Sequence, residues 1–84
     1  MGRRFLLYSR PGCSLCEEML LELAALPAAQ GVPVEVLNID DRDADRVRYG
    51  HKIPVLTLDG ELVCHGRLDI EEVLKSLARD GRPV

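Results

Sequence analysis

The chain has 84 residues, enough for one small domain spanning 1–84 that buries somewhat over ~60% of its unfolded surface. Its 46% hydrophobic and 30% charged residues are ordinary for a globular protein, and a net charge of −3 without a basic block argues against nucleic acid as a main partner. No apolar run approaches the ~18 residues of a membrane span. The start, Met1-Gly2-Arg3-Arg4, is basic, but residues 5–8 are too short for a signal-peptide core. Leu6 stands where a myristoylation pattern needs Ser or Thr. A cytoplasmic location without membrane contact is therefore expected. Three cysteines do not make a disulfide-stapled secreted scaffold, and in a reducing compartment a close pair points to catalysis or metal binding.

Residues 4–8 form a continuous apolar strand candidate, which suggests a central parallel strand buried on both faces. The Pro11-Gly12 loop then delivers Cys13, with Cys16 three residues on. Residues 17–29 read as a helix, because Cys16, Met19, Leu20 and Leu23 fall at i, i+3, i+4, i+7 and Leu26 continues the stripe. Pro27 is hard to hold inside a helix, so the segment ends or frays there. Val32, Val34, Val36 and Leu37 mark a second strand over 32–39. Strand, helix, strand makes a βαβ unit with parallel strands and a right-handed crossover.

Residues 40–49 mix four aspartates with three arginines and read as a short solvated helix capped by Asp41 and stopped by Gly50. A second reading, Arg46 or Arg48 meeting an acidic ligand, is weaker. Ile53-Pro54 precedes a strand over 55–58, Asp59-Gly60 suits a type I′ hairpin turn, and 61–65 returns antiparallel. Asp69 with Glu72 three residues later is a capping-box pattern opening a last helix, where Ile70, Val73, Leu74 and Leu77 form the stripe and Gly81 and Pro83 the stop. The order is β-α-β-α-β-β-α, an α/β domain with helices covering a mixed four-stranded sheet.

Placement gives the cysteine pair its chemistry. The first turn of a helix has free N–H groups and the positive end of the macrodipole, so a thiolate there is stabilised. Its pKa falls from ~8.5 toward ~7 or lower in Cys-x-x-Cys sites. Helical residues three apart face each other with Cβ atoms ~5–6 Å apart, and a disulfide wants ~3.8 Å, so a small adjustment at the helix edge closes the bond. Glu17 and Glu18 suit the dipole but oppose extra negative charge on Cys13.

A Cys-x-x-Cys at the helix start of a βαβ unit, an Ile-Pro opening a hairpin and a closing helix together resemble the thioredoxin fold. The short length makes the chain similar to the glutaredoxin branch, and to a small bacterial glutaredoxin-like group within it. The resemblance implies Cys13 as nucleophile and Cys16 as resolving thiol. Arg10 matches the basic residue three before the nucleophile. Pro54 matches the family's cis-proline, with Ile53 before it offering backbone hydrogen bonds to a bound peptide or glutathione. Gly66 and Asp69 match the element that holds the γ-glutamyl end of glutathione.

Three positions depart from that pattern: Ser14-Leu15 lie between the cysteines, His65-Gly66 replaces a Gly-Gly pair, and Lys52 stands where Thr is common. The resemblance implies an oxidoreductase in electron transport and cell redox homeostasis. It has no bound cofactor, takes glutathione as a co-substrate and acts as a monomer. Its partners are a disulfide-bearing protein or glutathione, and a thiol or thioredoxin-reductase-type reductant. The departures favour thiol–disulfide chemistry over glutathione specificity.

Each site residue also has a plainer reading. Arg10 and Lys52 can be solvated loop residues, Pro54 a trans proline at a strand start, and Asp69 only a helix cap. His51 and His65 read as surface residues. Cys64 reads as a small buried strand residue; the sharper alternative is an auxiliary resolving thiol brought near Cys13 by the hairpin's return. The dithiol itself has two rivals of other classes: a glutathione-assisted iron–sulfur or metal carrier, and a non-catalytic binding module. No single-chain metal site is expected, since Cys64 and His65 are adjacent and structural zinc sites use wider spacings.

Overall fold

In the computed structural model, residues 3–80 are described. Strand β1 (Phe5–Ser9) is central in a four-stranded sheet of order β2-β1-β3-β4. It pairs parallel with β2 (Val34–Asn38), from Phe5 opposite Val34 to Ser9 opposite Asn38. It pairs antiparallel with β3 (Val55–Leu58), which in turn pairs antiparallel with β4 (Glu61–His65). Helix α1 (Ser14–Ala25) makes the crossover from β1 to β2, α2 (Asp43–Tyr49) joins β2 to β3, and α3 (Ile70–Asp80) follows β4. This is the expected β-α-β-α-β-β-α order and the thioredoxin-like α/β arrangement.

The core lies on the sheet face to which Phe5, Leu7, Leu56 and Leu58 point, where Met19 and Leu23 of α1 and Val73 of α3 meet them. Burial along β1 alternates rather than running continuously: Phe5, Leu7 and Ser9 are buried, Leu6 and Tyr8 only half so. The second face carries the short α2, none of whose residues is buried, and Tyr8 stacks there on Tyr49 with centroids 4.4 Å apart.

Helix α1 begins three residues earlier than expected and ends at Ala25. Leu26, preceding Pro27, is extended (φ −81, ψ 116), because the proline ring excludes the helical region from the residue before it. A 3-10 turn, Pro27–Ala29, follows. The Gln30 side chain donates to the carbonyls of Ala24 (2.7 Å) and Leu26 (3.2 Å), satisfying acceptors that the helix end exposes.

Asp41 does not cap α2. Residues Ile39–Asp41 form a 3-10 turn capped by Asn38, whose Oδ1 accepts from the Asp40 N–H (2.9 Å); α2 starts at Asp43 with no side-chain cap. Gly50 ends α2 in a right-handed conformation, and a Cβ there would lie 2.5 Å from the Arg46 carbonyl oxygen, so close approach rather than positive φ requires glycine.

Asp59 (φ 51) and Gly60 (φ 91) make the type I′ turn. The sequence did not reveal the bulge that follows: Leu56 pairs with Cys64 and Thr57 with Leu62, leaving Val63 as the extra residue. In α3 the inner face is Val73, Ser76 and Leu77, while Ile70 and Leu74 of the expected stripe are exposed. Asp69 Oδ1 accepts from the Glu72 N–H at 3.2 Å, as a cap should. The expected stop signals Gly81 and Pro83 lie outside the described residues.

Candidate active site

The loop from β1 to α1 is a tight turn in which the Cys13 N–H donates to the Arg10 carbonyl (3.2 Å). Pro11 presets its first inner position and Gly12, at φ +80, supplies the second, the residues a type II turn requires. Cys13 emerges as the N-cap of α1 (φ −88, ψ 106). Its carbonyl accepts the first helical bond from Glu17 (3.1 Å), and its Sγ accepts from the Cys16 N–H at 3.1 Å. The sulfur thus takes the place of the Ser, Thr or Asp oxygen that usually caps a helix, with an otherwise orphaned N–H aimed at it.

Cys13 and Cys16 are disulfide-bonded, with Cα atoms 5.2 Å apart, inside the range a relaxed bridge needs. Their environments differ. Cys13 is half-buried, whereas Cys16 is only 4% exposed, on the inner stripe with Met19 and Leu23. One sulfur can meet a partner molecule and the other cannot without motion.

Cys13, Cys16 and Arg10 share a cleft of about 290 Å³ with Ser9, Glu17 and Asn38. Arg10 does not stay a free loop cation. It makes a bidentate pair with Asp40, Nε to Oδ2 at 2.9 Å and Nη2 to Oδ1 at 3.0 Å. The hydrogen bonds from Arg10 hold the Asp40 carboxyl below its ordinary range, and Asp40 raises the Arg10 guanidinium in return.

Ile53-Pro54 is cis and Pro54 is buried. The Pro54 carbonyl accepts from the Gly66 N–H at 2.8 Å, tying the exit of β4 to this loop. Ile53 donates its own N–H to Tyr49 O (3.1 Å), as does Lys52 (2.8 Å), whose side chain is exposed. Gly66, at φ +81, faces the first turns of α1 across a small gap lined by Leu15, Glu18 and Arg67.

Asp69 and Cys64 are elsewhere. With His65 they line a separate open cleft between β4 and the start of α3. Burial pushes the Cys64 thiol up, a backbone hydrogen bond from Asp69 opposes that, and the Asp69 and Glu72 charges add to the rise. Cys64 is not among the residues lining the Cys13 cleft. Among the described residues, no three His, Cys, Asp or Glu side chains converge as a metal site, and no helix is long and apolar enough to cross a membrane.

The residue that sequence reasoning missed is Asp40. The signal was topological: in the parallel pair Ser9 lies opposite Asn38, so Arg10 leaving β1 and Asp40 leaving β2 emerge at the same sheet edge.

Solved structures that share the fold include a protein from Nitrosomonas europaea (Ne2328), 32% identical over 90% of this chain and 92% of its own, with a TM-score of 0.81, and a protein from X. campestris (XcR50), 29% identical over 94% of this chain and 99% of its own, with a TM-score of 0.66. No curated protein matches the chain. Residues 4–78 match the family described as Glutaredoxin-like domain (DUF836), and a Cys-x-x-Cys pair at disulfide distance fits a thiol redox role. With that match over most of its length, the chain belongs to the glutaredoxin-like family.

Proposed function

We propose that the protein is a thiol–disulfide oxidoreductase that reduces protein or glutathione mixed disulfides. The observation that carries this reading is the pairing of a half-buried Cys13 at a helix N-cap with a buried Cys16 in bonding contact. In the reduced protein the Cys16 N–H and the helix N-terminus stabilise a Cys13 thiolate.

The Cys13 Sγ attacks one sulfur of the substrate disulfide. That S–S bond breaks, a mixed disulfide forms on Cys13, and the departing thiolate takes up a proton. The Cys16 thiol then loses its proton and attacks the Cys13 Sγ, releasing the second substrate thiol. The substrate disulfide is thereby reduced to two thiols, while the protein dithiol is oxidised by two electrons to the Cys13–Cys16 disulfide. Two equivalents of a thiol such as glutathione, or one external dithiol, reverse that oxidation.

The loop holding Ile53 and Pro54 would meet the substrate backbone. Because the Ile53 N–H is committed to Tyr49, the Ile53 carbonyl is the group we assign to a ligand bond. Lys52 and Gly66 flank the same loop, and Asp69 acts first as the cap of α3.

The test is turnover of a glutathione mixed disulfide by the reduced protein with excess thiol. Cys13→Ser should abolish it, and Cys16→Ser should accumulate an adduct on Cys13 that mass spectrometry detects. Unchanged turnover in Cys13→Ser would refute the assignment. Colour and iron in the purified protein would favour the carrier reading instead.

A further inference from the structure

Arg10 is the cation beside the dithiol, and its charge is already answered. Its guanidinium is held by both oxygens of Asp40, which reaches it from the end of the neighbouring strand. Arg46 adds to the charges acting on Asp40, and Glu17 lines the same cleft as the two sulfurs. The cleft therefore offers an incoming group a neutralised arginine and the carboxylate of Glu17 at the helix start. From this geometry we infer that Asp40 is a positioning residue for specificity: by holding Arg10 it keeps free positive charge from the mouth of the Cys13 cleft and disfavours anionic disulfides.

The inference rests on the oxidoreductase reading and deepens it. The reaction affected is the first attack, in which Cys13 opens the incoming disulfide and one thiolate leaves. Releasing one cation to roughly 7 Å from a substrate charge, in water, changes the encounter ~3-fold per negative charge. A dianionic disulfide should feel this and a neutral one should not.

The experiment compares glutathione disulfide, which is anionic, with 2-hydroxyethyl disulfide, which is neutral. Both oxidise the reduced full chain, and loss of the free thiols is followed by acid quench and mass spectrometry. The readout is the ratio of the two initial rates, which cancels any change in thiolate content. Asp40→Asn should raise the anionic-to-neutral ratio roughly 3- to 10-fold at low salt, and the gain should shrink at high salt. Asp40→Glu should keep the parent ratio. In an Arg10→Gln background, Asp40→Asn should raise the ratio less than it does in the parent, since no guanidinium is left to release.

A ratio unmoved by Asp40→Asn, with Cys13 still the reacting thiol, overturns the inference alone. So does an equal rise in the Arg10→Gln background, since Asp40 would then act by its own charge rather than through Arg10. If neither disulfide oxidises the parent dithiol, the oxidoreductase reading itself falls and takes this inference with it.

Discussion

Iodoacetamide added to the reduced protein at pH 7 should modify Cys13 well before Cys16. An unperturbed thiol of pKa ~8.5 is only about 3% thiolate at that pH. In other Cys-x-x-Cys sites the helix-start thiol lies near ~7, where about half is thiolate, roughly a 15-fold gain. Lower basicity also weakens the nucleophile, and a Brønsted slope of ~0.4–0.5 over ~1.5 pKa units returns a factor of ~5. Cys13 should therefore react about 3-fold faster than a free cysteine.

Cys16 is 4% exposed and packs beside Met19 and Leu23, so the reagent reaches it only after the first turn of α1 opens. An opening of ~3 kcal/mol, within the range of local unfolding, slows Cys16 by about two orders of magnitude. The assay is a quenched time course with peptide mapping, which separates the three cysteines. Cys16 reacting as fast as Cys13, or Cys13 slower than free cysteine, would refute the argument that α1 divides the pair into an attacking and a sheltered thiol.

Four further outcomes follow from named residues. Cys64 should lag behind Cys13 at pH 7 in the same time course and close the gap only at alkaline pH, because burial raises its pKa. Its folded pKa is raised, so the stability it contributes is complete below the unfolded thiol pKa and lost as pH rises through the folded one; Cys64→Ser, which does not line the Cys13 cleft, should flatten that alkaline loss in urea titrations and leave turnover unchanged. Thr57→Val should raise stability by about 1 kcal/mol, because the Thr57 Oγ1 is buried without a hydrogen-bond partner; a lower urea midpoint would contradict this. Leu56→Ala, at a fully buried position of the inner strand β3, should cost about 2–5 kcal/mol, against less than ~0.5 for Leu21→Ala, whose side chain is 70% exposed. Asp40 should titrate below the usual carboxylate range by NMR and move back up in Arg10→Gln, since the guanidinium hydrogen bond lowers it; this interaction stabilises the fold above the unfolded carboxylate pKa and fades as pH falls through the folded one.

The backbone plan was legible because its signals are local. Asp59-Gly60 fixes a turn, Asp69 fixes a helix start, and the Cys16-Met19-Leu23 spacing fixes the inner face of α1. What escaped depended on contacts between distant segments. The bulge at Val63 leaves no periodic trace in a strand of five residues. Ser76 takes the place of Ile70 and Leu74 on the inner face of α3, which meets β4 and the Pro27–Ala29 turn, and hydropathy does not mark a serine as inward. Cys13 was readable as a helix-start thiol, but not as the cap itself, since cysteine is not a usual N-cap residue. Asp40 drew notice only as one acid in a charged run, and its partner lies thirty residues away.

On the proposed reading, Cys13 and Cys16 form a working redox couple. The most direct measurement is equilibration of the protein across glutathione redox buffers, with mass spectrometry counting disulfides and adducts. One intramolecular Cys13–Cys16 disulfide should form and break reversibly within the span of thioredoxin and glutaredoxin potentials, about −270 to −200 mV. Any glutathione adduct should fall on Cys13. A pair that stays reduced and unmodified across that whole range would contradict that reading.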